Sequence, residues 1–351
     1  MKRLPLLTIF ALACSLHCPG QEISTPPVGF NSLVCPSGSD TYVSVSFNRP
    51  MAFLGAVDTA GGSAVTPQGE LAWTANQFVT SGAHFVKFIT GSKAGAFYEV
   101  TGNTGSALTL DLAGDSLSGV VEGDRIAVVP YWTLADLFPV GNQTIHQSVN
   151  TTSFGRRTVV LFPNLTGSGI NLAPGGMYYQ TSDGWKDALN GNASVNPRLE
   201  PDQYLIIRHR SQDAATTFAA AGAVDTWTVR SVLATQANAG VDNPVSNLRP
   251  VPVKLKDLEL ISSGAFVGSG GTTSFVRKDL LHVYDHAVVG INKIPSRVYF
   301  YNTLTQQWLS ALESNRVADD DLILPASGFI IRKAKTGDGA SSLWTHQPVT
   351  Q

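Results

Sequence analysis

Apolar and polar positions alternate with a period of two along most of the chain. Val43, Val45 and Phe47 are separated by Ser44 and Ser46, and Pro50 closes the run. That is the pattern of a half-buried strand, ended by a residue that cannot extend a ladder. Phe85-Val86-Lys87-Phe88-Ile89, Phe97-Tyr98-Glu99-Val100, Leu108-Thr109-Leu110-Asp111-Leu112 and Ile126-Ala127-Val128-Val129 follow as further strands. Gly102-Asn103-Thr104-Gly105 supplies the positive-φ residues that a tight hairpin demands. No sustained helical period runs through the chain. Residues 21–130 are therefore predicted to form an N-terminal β-meander domain.

The remainder carries an internal repeat. Thr151-Thr152-Ser153-Phe154 recurs as Thr272-Thr273-Ser274-Phe275, a shift of 275 − 154 = 121. The same shift places Leu134, Asp136 and Leu137 on Leu255, Asp257 and Leu258, and Arg156 on Arg277. It also places Gly169-Ile170-Asn171 on Gly290-Ile291-Asn292, and Tyr178 on Tyr299. Small insertions then bring Trp185, Ala188 and Leu189 onto Trp308, Ala311 and Leu312, and Ile206-Ile207-Arg208 onto Ile330-Ile331-Arg332. Order is kept throughout, as diverged copies keep it.

Two tandem units, at residues 131–247 and 248–351, follow from this alignment. Val159-Val160-Leu161-Phe162 and Leu280-Leu281-His282-Val283 read as buried strands, and the Trp-x-x-Ala-Leu spacing predicts one helical turn pressed on the sheet. Gly240-Val241-Asp242-Asn243-Pro244 reads as the linker. The expected architecture is all-β: the meander domain, then two duplicated small barrels or sandwiches, each with a helical plug.

Composition narrows the function classes. The charged fraction is 14%, against roughly 25% in ordinary soluble domains. The formal net charge is −2 and no basic run exceeds Arg156-Arg157 or Arg208-His209-Arg210, so nucleic acid is not an expected partner. Met1-Lys2-Arg3 followed by the apolar residues 4–13 reads as a signal peptide, with 1–20 as the leader. The run falls short of the about 20 residues that span a bilayer. Cleavage after Ala13 or after Gly20 both fit, and cleavage before Cys14 would give a lipoprotein. Of three cysteines, Cys14 and Cys18 lie in or beside the leader, which leaves Cys35 without a disulfide partner. The expectation is an exported protein of the periplasm, cell surface or exterior, with no transmembrane segment once the leader is removed.

Several segments resemble a family of uncharacterised exported proteins from verrucomicrobial bacteria. They are residues 43–50 (VSVSFNRP), Gly123-Asp124 leading to Tyr131-Trp132-Thr133-Leu134 and Leu137-Phe138-Pro139, Lys278-Asp279-Leu280-Leu281, Gly290-Ile291-Asn292, and residues 328–333 (GFIIRK). The resemblance implies export and lends no activity.

Four constellations could carry chemistry. Gly114-Asp115-Ser116-Leu117 spells the nucleophile block of GDSL-type esterases, and Asp279-Leu280-Leu281-His282 supplies the matching Asp-x-x-His. Ser116 would be the nucleophile, His282 its base and Asp279 the orienter, but Ser116 falls in a β-meander loop where that fold has a strand-to-helix turn. His282 and His286, with Tyr284 between them, would share a strand face and could hold a metal. Asp319-Asp320-Asp321, or Asp111, Asp115 and Asp124, could offer oxygen ligands to Ca²⁺ without matching a Ca²⁺-loop spacing. The aromatic content admits a glycan-binding module, although Trp185 and Trp308 recur with the residues that would bury them. No committed catalytic or cofactor site emerges. The expectation is a non-enzymatic structural or adhesive protein whose partners are glycans or other envelope proteins, with a carbohydrate-binding module and an ester hydrolase as alternatives.

Overall fold

The computed structural model describes residues 27–349, so the expected leader, with Cys14 and Cys18, lies outside the described residues. Every ladder between strands in this range is antiparallel, and the ladders form three bodies. The predicted all-β class holds.

Six strands close into a barrel in the order Phe53–Gly61, Ala64–Pro67, Leu108–Asp111, Phe97–Asn103, His84–Phe88 and Arg125–Pro130. Val57, Val65, Val86, Phe88, Val100, Leu108 and Ile126 fill it, with Phe78 of the short helix Gln77–Thr80. The expected hairpin is present, and its turn is closed by Thr104 N donating to Ala107 O at 2.9 Å. Strands His84–Phe88 and Arg125–Pro130 are buried on both faces, because the outward residues Phe85, Ala127 and Val129 pack with Tyr131 and Trp227 of the neighbouring bodies.

Two six-stranded sheets share one pairing scheme. The first runs Ala193–Ser194, Gly184–Asp187, Gly176–Thr181, Val159–Phe162, Tyr204–Arg208, Asp40–Ser44. The second runs Arg316–Val317, Gln307–Ser310, Arg297–Asn302, Leu280–Val283, Gly328–Lys333, Val241–Ser246. Each is faced by a second layer: Val28–Cys35 paired with Thr216–Val224 in the first, and Val229–Leu233 paired with Ser342–His346 in the second. One core lies between the layers of each sandwich, with Trp185 in the first and Trp308 in the second.

This pairing redraws the expected boundaries. The first sandwich takes residues 28–48 and 131–224, the second takes residues 229–346, and the barrel is inserted within the first. Residues 21–130 are thus not one domain, and the breaks at 131 and 248 each cut a unit from its first strands. The supposed linker, Gly240 to Pro244, lies largely in strand Val241–Ser246, where Pro244 is tolerated because the strand is at a sheet edge.

The helical plug is also absent. Trp185 and Trp308 sit on strands, while Leu189 and Leu312 are exposed in the following turns. The helical turn lies instead at Leu134–Leu137, capped by Thr133 and Asp136 in a capping box. Lys254 replaces Thr133 in the second copy, no side-chain cap forms, and Leu255–Asp257 is a 3₁₀ turn. Behind the shared Thr-Thr-Ser-Phe loops, Arg156 and Arg277 stack on Tyr179 and Phe300 and each donates to an asparagine, Asn192 or Asn315, at 3.0 Å.

The two sandwiches meet about a pseudo-two-fold axis held by reciprocal clamps. Arg208 Nε and Nη2 fork onto Asp40 at 2.6 and 2.8 Å, and Nη2 also donates to Asn292 of the second copy at 2.7 Å. Asn292 N donates to Asp40 Oδ2 at 2.7 Å, and Asp40 N donates to Gly290 O at 2.9 Å. The mirror set joins Arg332 to Asp242 at 2.6 and 2.9 Å and to Asn171 at 2.8 Å, with Asn171 N on Asp242 Oδ2 and Asp242 N on Gly169 O, both at 2.8 Å. Gly169 and Gly290 hold φ of 145° and 155°, Asn171 and Asn292 hold 54° and 53°, and this loop shape explains the repeated Gly-Ile-Asn.

Asp40→Asn and Asp242→Asn should each lower the unfolding free energy by about 2 kcal/mol, the scale of a hydrogen bond to a charged partner. Denaturant titration measures both. A loss below about 0.5 kcal/mol, the range of ordinary surface changes, would show that the clamps contribute nothing.

Candidate functional site

The proposed esterase residues are not brought together. Ser116 lies exposed in the barrel turn after strand Leu108–Asp111, and its Oγ accepts from Ser118 N at 3.4 Å. Asp279 belongs to the second sandwich, where it forms a buried ion pair with Lys333 and accepts from Val267 N at 2.7 Å and Ala334 N at 2.8 Å. The first copy does the same job with uncharged groups, since Thr158 and His209 stand there at 2.9 Å. His282 is buried on strand Leu280–Val283, and burial, reinforced by Arg332, pushes its imidazole down to about 4.

The metal candidates are engaged elsewhere. His286 lies beyond the strand end, with Nε2 at 2.8 Å from Tyr42 O of the first sandwich. Asp319 accepts from Trp308 N at 2.8 Å, Asp320 pairs with Lys254 and Lys256, and Asp321 bonds Tyr299 and Arg316, each at 2.8 Å. Asp111 and Asp124 bond backbone amides of their own turns. Among the described residues, no three His, Cys, Asp or Glu side chains are grouped to hold a metal ion. Cys35 is fully buried, and desolvation pushes its thiol up to about 11.

A cleft with a volume of about 620 Å³ lies where the three bodies meet. The barrel contributes Phe97, Tyr98 and Glu99 from one strand, Asp111 from the end of the next and Asp115 from the turn after it. The first sandwich contributes Tyr131, Arg198, Glu200 and Asp202, and the second contributes Arg230, Val232 and Leu343. As candidate chemistry, sequence reasoning singled out only Asp111 and Asp115 of this set, both for calcium and Asp115 also within the GDSL string. The rest are scattered from Phe97 to Leu343, over 343 − 97 = 246 positions, with no common string, and only the barrel insertion gathers them.

Arg198 organises the cleft. Its guanidinium forks onto Glu99, with Nη2 to Oε2 at 2.7 Å, donates through Nε to Glu200 at 3.0 Å, and lies 4.6 Å from the Tyr131 ring centroid. One planar cation thereby ties the barrel to the first sandwich. Asp115 binds Lys93 at 2.7 Å and the Tyr98 hydroxyl at 2.6 Å, and these, with the Ser116 amide, pull its carboxyl down to about 2. Burial acts oppositely on Glu200 and Asp202, which are raised. Arg230 donates to Ser92 O at 3.4 Å, while its buried Nε has no partner in the protein. Five carboxyl groups thus face three basic groups across a floor of aromatic rings. The lining contains no Ser, Cys or His.

Burial of neutral histidines makes stability depend on pH. His209, like His282, is pushed down to about 4 by desolvation. An unfolded imidazole titrates near 6.5, so between about pH 6.5 and 4 the unfolded chain binds more protons, and stability falls as pH falls. Thermal melts from pH 7 to 4.5 should show a declining midpoint. His282→Leu, the residue the first copy carries as Leu161, should flatten that decline; an unchanged slope would assign it to other groups.

No protein-family model, curated protein or solved structure matches this chain, so the cleft is read from its own geometry.

Proposed function

We propose that the chain is a non-enzymatic adhesive protein, exported to the cell envelope or beyond, that holds a glycan in the cleft between its three bodies. The observation that carries this reading is the mixed lining of that cleft. A simple ion would be repelled by half of it, whereas a ligand rich in hydroxyl groups can donate to Asp111 or Glu200 and accept from Arg230 or Lys93. The rings of Phe97, Tyr98 and Tyr131 in the lining suit the apolar faces of sugar rings. Export rests on the leader-like N-terminus. Among the described residues no helix is long and apolar enough to cross a membrane.

Glycan-array screening of the protein should yield retained ligands. Arg230→Ala should weaken their binding at least 10-fold by removing the donor that lacks a protein partner. Retention of no glycan, or equal retention by the variant, would sink the reading. Ester hydrolysis has a separate check: turnover of short-chain nitrophenyl esters that Ser116→Ala abolishes would make the protein an enzyme.

A further inference from the structure

The duplication supplies its own internal comparison. Strand pairing makes Tyr42 the counterpart of Pro244 and Tyr204 the counterpart of Gly328, because the ladders align Asp40 with Arg208 and Asp242 with Arg332. The shift of 121 makes Tyr284 the counterpart of Pro163. Three tyrosines on one side of the pseudo-two-fold axis thus face two prolines and a glycine on the other. The clamps around them are the same in both halves, so the copies differ between those clamps, where their contact leaves a cleft.

These residues meet in a second cleft of about 270 Å³ on the axis. Tyr42 and Tyr284 stack in parallel with centroids 3.9 Å apart, and Tyr204 tilts against Tyr42 at 5.4 Å. A Cβ on Gly328 would lie 2.4 Å from Tyr204 Cγ, so the glycine is what admits the third ring. All three tyrosines are more than nine-tenths buried. Apart from the mutual approach of the Tyr42 and Tyr284 hydroxyls, none of the three phenol oxygens bonds another group among the described residues, and none is sealed from solvent, so the rings are buried while their hydroxyls stay open to the cleft.

At the rim, the side-chain oxygens of half-buried Asn164 and exposed Asn171 and Asn292 accept within the protein, and their amide nitrogens donate to no described residue. Of the charges in the lining, Asp40 is matched by Arg208 and Asp242 by Arg332, while the Lys293 ammonium is held by the backbone, donating to Asp285 O at 3.1 Å and Val288 O at 2.8 Å. What remains to be satisfied is uncharged: three hydroxyls and three amide groups. At about 30 Å³ per water, the cleft holds about nine waters or one sugar ring with a few of them.

The geometry points to a second ligand site on the duplication axis, built for a single neutral sugar residue of hexose size. It shares no lining residue with the three-body cleft and does not depend on the reading given to that cleft.

The test is NMR of tyrosine-labelled protein titrated with D-glucose, D-galactose and D-mannose, alongside a Tyr42→Phe/Tyr204→Phe/Tyr284→Phe variant that keeps the rings and removes the hydroxyls. At least one hexose should shift the signals of these three tyrosines saturably in the wild type, with affinity at least 10-fold weaker in the variant. Arg230→Ala should leave that titration unchanged, which separates this site from the three-body cleft. Absence of saturable shifts with all three hexoses, or equal affinity in the triple variant, would overturn the assignment and leave the tyrosines as packing between the copies.

Discussion

The arrangement depends on the need to satisfy two buried aspartates. Asp40 and Asp242 are nearly or wholly removed from water on sheet-edge strands, and a carboxylate placed there is tolerated only when paired and hydrogen-bonded. Each copy supplies the arginine for its own aspartate and then relies on the other copy's asparagine and backbone to complete the set. Neither half is fully satisfied alone. The sandwiches are therefore coupled through polar complementarity as well as apolar area, and their relative orientation is fixed by groups with strict geometry.

That fixed orientation positions everything else. Asp225, just after the last strand of the first sandwich, forms a nearly buried ion pair with Lys87 of the barrel and accepts from Asn48 at 3.2 Å, at the point where the chain leaves for the barrel. Arg198 makes the second attachment through Glu99 and Tyr131. The barrel is held from two sides, and the space between those attachments is the three-body cleft. Its walls come from elements locked by ion pairs, so its shape is set before any ligand arrives.

Much of the scaffold was legible in the sequence. Alternating and apolar runs located four of the six barrel strands and the matched strands Val159–Phe162 and Leu280–Val283, and the recurrence of Thr-Thr-Ser-Phe and Gly-Ile-Asn pointed to two like units. The boundaries were not legible, because antiparallel pairing between residues 40–44 and 204–208 leaves no local mark. One signal was there to be found: Asp40, Val43 and Ser44 match Asp242, Val245 and Ser246 in spacing, a shift of 242 − 40 = 202 that makes sense only if the first copy is interrupted. Trp185, Ala188 and Leu189 misled for the opposite reason, since one turn of helix and a strand followed by a tight turn can share the same spacing. The cleft residues stayed hidden because Glu99, Arg198 and Arg230 carry no pattern until three bodies converge.

The inserted barrel leaves and rejoins the first sandwich at neighbouring points, with Ala52 N donating to Val128 O at 2.8 Å. The second sandwich crosses the corresponding gap with residues 247–252 alone, so the scaffold itself does not require the long excursion. The twin sandwiches are complete in their ladders without the barrel, and every barrel residue that lines the three-body cleft is carried there by this one excursion.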